Sequence, residues 1–249
     1  MTDLSDKVAL VTGASRGLGF AAAEALGAAG AHVIAVARTA GGLAELDDRI
    51  RAAGGRATLA PLDITDDPGL ERLGAAIFER WGRVDVWLHT AVHTPGQAPV
   101  EHIQDTDLDR TIAINFRAVQ RLIRVIDPLL RQAPSGKALF ARDETVSGRP
   151  YHAGYRSLLR ARDDLVADWS NGLARTSRVR VVTLAPPPMR TAVRARLYPG
   201  EEIARPNEIA DVAARLVEIA ADASPDPDPD PRGAVMPVDV RGAARDRAP

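Results

Sequence analysis

Cysteine is absent from the 249 residues, which excludes disulfides, thiolate metal sites and a cysteine nucleophile. Lysine is almost absent: Lys7 and Lys137 are the only two. Arginine carries nearly all of the positive charge, as a GC-rich coding bias would give, so the arginine count by itself says little about chemistry. Aromatic residues make up only 4%. No apolar run approaches the roughly 20 residues that a membrane-spanning helix needs. The amino terminus is polar and lacks the basic-then-apolar order of a secretory signal. The net charge of −1 gives no long-range pull toward nucleic acid or an acidic membrane surface. These absences lead to the expectation of a soluble, cytoplasmic protein with no nucleic-acid or membrane partner and no metal.

What is present is ordinary for a globular chain: 45% hydrophobic and 26% charged residues. The length suits one large α/β domain, 1–249, and no second domain is visible. Apolar runs of strand length alternate with helical patterns. Strands are predicted over 8–11, 32–37, 56–62, 84–88, 138–141, 179–184 and 234–238. Between them, helices are predicted over 16–26, 41–53, 66–81, 107–132, 151–174 and 207–221. Within 66–81, Leu70, Leu73, Ile77 and Phe78 share one face. Strand–helix alternation means crossover units, hence a Rossmann-like, doubly wound parallel sheet of about seven strands with helices on both faces. Its loops after strands one, four, five and six meet where strand order reverses, and ligands bind there. The Pro-Asp alternation in 223–233 can make neither helix nor ladder bonds and reads as an extended, solvated loop. The tail 241–249 reads as loose.

The stretch from Lys7 to Gly19 organises the chain. A short apolar strand runs into Thr12-Gly-Ala-Ser-Arg-Gly-Leu-Gly19 and then into a helix. A strand that turns sharply into a helix leaves backbone amides unpaired at the helix start, and with the helix dipole they suit a phosphate. Gly13 permits the tight turn, Gly17 the close approach of a pyrophosphate, and Gly19 the helix–strand packing.

With these residues in view, the chain resembles the short-chain dehydrogenase/reductase family over nearly its whole length. The loop from Thr12 to Gly19, including Ser15, Arg16 and Leu18, is similar to that family's cofactor loop. Asp63-Ile64 resembles its adenine-contacting pair, Asp85 the residue that introduces its fourth strand, Asn115 its long-helix asparagine, Tyr155 its active tyrosine and Thr191 its nicotinamide-contacting threonine. Ala91 falls in the loop after the fourth strand, which lies near the cofactor in the family. The resemblance implies a dinucleotide cofactor, a small-molecule carbonyl or alcohol substrate, and a homodimer or homotetramer built on the helices 107–132 and 151–174. The form of the cofactor is legible too. Dinucleotide folds place an acid at the end of the second strand for the ribose diol; here that strand ends at Arg38, whose planar fork suits a 2′-phosphate. NADP(H) is therefore expected over NAD(H), with Arg16 as a second partner.

The reacting half departs from the family. The lysine that follows the tyrosine by four residues is Leu159 here, and Arg156 and Arg160 lie on other helix faces. A phenol titrates near 10 and, without a neighbouring cation, is a poor base near neutrality. The family serine, 12 or 13 residues before the tyrosine, is Asp143 or Arg142; the hydroxyls of Thr145 and Ser147 would need a re-routed loop to serve. Val92 stands where the family has glycine, and Pro186-Pro187-Pro188 replaces a Pro-Gly turn, removing amide donors. Three readings follow: an NADP(H)-dependent oxidoreductase with an altered proton relay through Tyr155, Asn115 and Asp143; a dehydratase, isomerase or cyclase using Asp143, Glu144, Tyr155, His89, His93 or His152; and a catalytically silent cofactor-binding or partner protein.

Overall fold

The computed structural model describes residues 2–202, 208–222 and the strand at 235–237. In chain order the elements are β1 (Val8–Thr12), α1 (Gly17–Ala28), β2 (His32–Ala37), α2 (Ala40–Ala52), β3 (Arg56–Pro61), α3 (Asp67–Trp81), β4 (Val86–His89), α4 (Asp105–Ile112), α5 (Ala118–Arg131), β5 (Lys137–Ala141), α6 (Ala153–Ala174), β6 (Arg180–Ala185), α7 (Ala192–Leu197), α8 (Ile209–Ala221) and β7 (Val235–Pro237). The predicted strands and helices are found, most within two residues of their expected bounds. The Pro-Asp segment and the tail lie outside the described residues.

All seven strands are parallel, in the order β3-β2-β1-β4-β5-β6-β7. Strand order reverses between β1 and β4, where Thr12 is in register with His89. The glycine loop after β1 and the loop after β4 therefore flank one crevice, at the carboxyl ends of the strands.

Period-two alternation divides the strands between two apolar layers. Ala9, Val11, Val33 and Ala35 face one side, where Leu18, Ala22 and Leu26 of α1 and Leu216 of α8 cover them. Leu10, Ile34, Val36 and Trp87 face the other, under Leu122 and Ile126 of α5 and Val166 of α6. Gly74 lets α3 close onto α5, since a Cβ there would meet Val125 Cγ1 at 2.5 Å. One expectation fails: Phe78 of α3 is 60% exposed. Only Gly69, Leu70, Gly74 and Ile77 are buried on that helix, and Phe78 turns 100° away from Ile77.

Both lysines are structural and sit at the amino edge, away from the crevice. Lys7 Nζ lies 3.4 Å from Asp85 Oδ1. The buried Asp85 carboxylate also accepts from the Val8 amide at 3.0 Å and Arg83 Nε at 3.1 Å, tying the starts of β1 and β4 together. Lys137, the first residue of β5, donates to the carbonyls of Ile219 and Asp222 at the end of α8, each at 2.6 Å. Among the described residues no helix is long and apolar enough to cross a membrane, and no cluster of His, Asp and Glu is arranged to hold a metal.

Candidate active site

One cavity of about 580 Å³ runs along the carboxyl edge, from Arg38 at one end to Tyr155, Thr145 and Arg194 at the other. It gathers Gly13, Ser15, Arg16, Gly17, Leu18, Gly19, Arg38, Asp63, Ile64, Ala91, Asp143, Tyr155 and Thr191 on a single wall-to-wall surface. Of the expected cofactor and relay residues only Asn115 does not line it; of the further acid–base candidates, His93 lines it, while Glu144, His89 and His152 do not.

The phosphate end is built by backbone. Gly13 has φ +93°, and a Cβ there would meet the Ala91 amide nitrogen at 2.6 Å. Gly19 packs directly beneath Thr90 and the Gly13 carbonyl, with no room for a side chain. Gly17 differs from both. Its φ is +57°, yet the space beside it is open, and the nearest atom to a Cβ would be the Thr191 methyl at 3.7 Å. Helix geometry leaves the amides of Gly17, Leu18 and Gly19 without intrahelical partners. That open cradle of amides fits a dinucleotide pyrophosphate, and a side chain at Gly17 would fill it. At the rim, Arg38 Nη1 stands 3.7 Å from Asp63 Oδ2, with both side chains about half exposed. Burial works to raise the Asp63 carboxyl, but the amide and hydroxyl of Thr65, together with Arg38 and Arg110, outweigh it and hold the group below its usual range. The Arg38 fork thus keeps exposed donors for a phosphate. Ile64 is buried below the pair.

Asn115 sits in a π-helical turn, Ala113–Arg117, that joins α4 to α5 and interrupts the predicted 107–132 helix. The widened turn aims its side chain inward. Its Oδ1 accepts from the His93 amide and its Nδ2 donates to the His93 carbonyl, both at 2.8 Å. Asn115 is thereby spent on fixing the loop after β4, against which Thr90 donates to the Thr12 carbonyl at 3.0 Å.

At the other end an apolar cluster backs the cavity wall. Tyr155 and Leu159, on consecutive turns of α6, are both 3% exposed and pack with Val146, Leu197 and Tyr198. Val92 leans on the same cluster. Burial pushes the Tyr155 phenol well above its ordinary value; Asp143 adds to the rise and Arg162 opposes it. Among the described residues the Tyr155 hydroxyl makes no hydrogen bond. Asp143 caps the short turn Glu144–Val146, its Oδ1 accepting from the Thr145 amide at 2.9 Å and the Thr145 hydroxyl at 2.5 Å. Glu144 is paired with Arg142 at 2.9 Å.

The histidines do not form an acid–base set. His89 is fully buried, its Nδ1 2.8 Å from Thr12 Oγ1, and burial, helped by Arg162, lowers its pKa to about 3. His152 packs against the Tyr198 ring, with centroids 5.4 Å apart. His93 alone lines the cavity, 3.8 Å from Asp107, and burial lowers its pKa in spite of that carboxylate.

Three residues that sequence reasoning passed over meet here. Arg162 is buried and donates to the Ala141 carbonyl at 3.1 Å and to Asp163 at 2.6 Å. It follows Tyr155 by seven residues, two helical turns, and that spacing was the available signal. Arg194, on α7, donates to Thr145 Oγ1 at 2.6 Å and holds Glu201 through Nε at 2.6 Å and Nη2 at 2.7 Å. Tyr198 lies 2.8 Å from the same Thr145 hydroxyl. Contacts spanning some 50 residues leave no mark on local pattern. They also place Thr145, which on spacing alone needed a re-routed loop, against the cavity. Ser147 does not line it.

The model of the short chain dehydrogenase family matches residues 7–202. The chain belongs to that family. Among relatives of this chain, a fatty acyl-CoA reductase of Acinetobacter baylyi is 33% identical over 55% of this chain and 47% of its own length, so the chain spans about half of that protein. An A-factor type gamma-butyrolactone 1'-reductase (1S-forming) of Streptomyces virginiae is 28% identical over 87% of this chain and 91% of its own. A solved structure from Pseudomonas syringae, assigned to the short chain dehydrogenases, superposes with a TM-score of 0.86 at 28% identity, covering 96% of each chain. A metagenomic short-chain oxidoreductase in complex with NADP superposes at 0.78 with 27% identity, covering 95% of this chain and 99% of that one. The chain therefore shares the family's sheet, with an open cradle of amides after β1. The position four residues after Tyr155 holds a buried leucine.

Proposed function

We propose that the protein binds NADP(H) and reduces a small carbonyl compound, its proton coming from a source other than a tyrosine–lysine pair. The observation that carries this reading is the single cavity that joins the open amide cradle at Gly17 and the fork of Arg38 to the polar groups of Thr145 and Arg194. NADPH, when bound, supplies the hydride. The chain's residues bind and orient it: the amides of 17–19 take the pyrophosphate, Arg38 and Arg16 the 2′-phosphate, Asp63 and Ile64 the adenine, and Thr191 the carboxamide. Two reductases among the relatives favour the reductive direction, and the NADP complex of a structural neighbour favours that cofactor.

Alcohol oxidation is disfavoured on physical grounds. It needs a base, and the Tyr155 phenol, buried beside Asp143 with no lysine near, holds its proton through the neutral range. The same burial supports a second reading, a cofactor-binding protein without turnover. Calorimetric titration with NADPH and NADH, followed by NADPH oxidation against a panel of aldehydes and ketones, separates the two. Binding with turnover supports the reductase; binding without turnover supports the second reading; no binding overturns both. A homodimer or homotetramer is proposed from the family resemblance, and sedimentation checks it.

A further inference from the structure

We propose that Thr145, fed by Tyr198 on the lid, the segment 192–202 that carries α7, gives the proton to the substrate's carbonyl oxygen in place of Tyr155; this rests on the reductase reading. Thr145 lines the same cavity as Tyr155. Its hydroxyl meets three groups: Asp143 Oδ1 at 2.5 Å, Arg194 Nη1 at 2.6 Å and Tyr198 Oη at 2.8 Å. A threonine hydroxyl has one proton to give and two lone pairs to receive. The proton goes to the carboxylate, so Tyr198 donates to Thr145, as the guanidinium does. Two donors feeding one oxygen polarise its remaining O–H bond and make that proton easier to lose.

The two phenols differ in what would stabilise them after losing a proton. Burial and the Asp143 carboxylate raise both phenols above the ordinary value, but Tyr155 lies in an apolar cluster with no hydrogen bond among the described residues, whereas at Tyr198 the Thr145 hydroxyl, Arg194 and Arg149 all work against the rise. The Tyr198 ring lies between two guanidiniums, Arg194 at 4.0 Å and Arg149 at 4.8 Å from its centroid. The cation that the family places beside its tyrosine is thus supplied here, beside a different tyrosine, from the lid and from the loop after β5.

The step balances as follows. A substrate carbonyl oxygen displaces Asp143 Oδ1 as acceptor for the Thr145 hydroxyl. With a bound NADPH as the hydride source, the carbonyl oxygen would become an alkoxide; the Thr145 O–H bond breaks, its electron pair stays on Oγ1, and the proton joins that oxygen. The Tyr198 proton moves to Thr145 Oγ1. Tyr198 is left as a phenolate between Arg194 and Arg149 and takes a proton back from solvent. Asp143 keeps the Thr145 amide throughout and so holds the loop in place.

The test uses the full chain and its Thr145→Val, Thr145→Ser, Tyr198→Phe and Tyr155→Phe variants, with NADPH affinity by calorimetry and turnover on the carbonyl panel across pH. Thr145→Val is expected to lower kcat about 100-fold while NADPH affinity stays within about threefold, with Thr145→Ser restoring turnover. Tyr198→Phe is expected to remove the alkaline limb of the pH profile, a change that a purely structural lid contact would not cause. Tyr155→Phe is expected to keep kcat within about threefold. In the apo protein, proton NMR is expected to show a slowly exchanging hydroxyl signal that Thr145→Val and Tyr198→Phe both remove and Tyr155→Phe leaves. Loss of turnover in Tyr155→Phe, with Thr145→Val and Tyr198→Phe active, overturns the relay alone. Failure of the wild-type chain to bind NADPH overturns the reductase reading and the relay with it.

Discussion

Leu159 stands one helical turn beyond Tyr155 and is buried to the same extent, so the phenol meets a branched hydrocarbon where an ammonium would serve it. Neither lysine of the chain can reach this end of the sheet, because Lys7 and Lys137 are both committed at the opposite edge. Leu159→Lys therefore places a charge in an apolar cluster sealed by Leu197 and Tyr198. It is expected to destabilise the fold by about 2–4 kcal/mol, read by urea denaturation. Paired with Asp143→Ser, which removes the carboxylate that opposes tyrosinate, it is expected to raise alcohol oxidation by roughly tenfold or more over the wild type. An unchanged oxidation rate in a folded double variant would show that the missing lysine is not what limits that direction.

Gly13 and Gly17 separate packing from binding. At Gly13 both the left-handed backbone and the Ala91 amide exclude a side chain, so Gly13→Ala is expected to cost about 2–3 kcal/mol of stability. At Gly17 the conformational cost remains, but the space is open. Gly17→Ala is expected to cost about 1–2 kcal/mol of stability, from the left-handed backbone alone, while weakening NADPH binding by more than about tenfold. Denaturation midpoints and calorimetry on the two variants give both quantities.

The difference between these glycines also marks what the sequence could disclose. Strand–glycine–helix order identified the cradle because one stretch of 13 residues, Lys7 to Gly19, contains it. The parallel sheet was legible because continuous apolar runs such as His-Val-Ile-Ala-Val-Ala belong to strands buried on both faces. The π-helical turn at Asn115 was not. It depends on a side chain reaching a backbone 22 residues away, and its local sequence reads as continuous helix. Leu159 and Asp143 stand out in the sequence as departures from the family pattern, but that Leu159 packs in a sealed cluster follows only from contacts with Leu197 and Tyr198, far along the chain. Arg194 and Tyr198 reach Thr145 across 49 and 53 residues of chain, a contact that no local pattern marks.

Arg38 sits at the rim with its side chain 51% exposed and only a loose pair to Asp63. Its removal should leave the fold alone. Arg38→Ala is expected to change stability by less than about 0.5 kcal/mol and to weaken NADPH binding by about 10- to 100-fold. NADH, which lacks the 2′-phosphate, is expected to bind equally well to both proteins. Equal losses for the two cofactors would mean that Arg38 supports the loop instead of reading the phosphate.

His89 gives the fold an acid limit. Its ring is fully buried between Trp87 and Phe140, and burial, with Arg162 nearby, lowers its pKa to about 3 from the 6.5 of an exposed imidazole. The folded state thus binds a proton less readily than the unfolded chain. Stability from this group is complete above pH 6.5 and drains away as pH falls from 6.5 toward 3. A depression of that size is worth roughly 4–5 kcal/mol when fully expressed. His89→Gln keeps a polar group opposite Thr12 but cannot titrate. Its unfolding free energy at neutral pH is expected to be lower by about 1–2 kcal/mol, from the altered Thr12 bond and aromatic packing. Between pH 6 and 4, however, its stability should fall less steeply than that of the wild type, by about 1.4 kcal/mol per pH unit at most. Parallel acid limbs in urea melts of the two proteins would show that His89 is not the group whose protonation unfolds the chain.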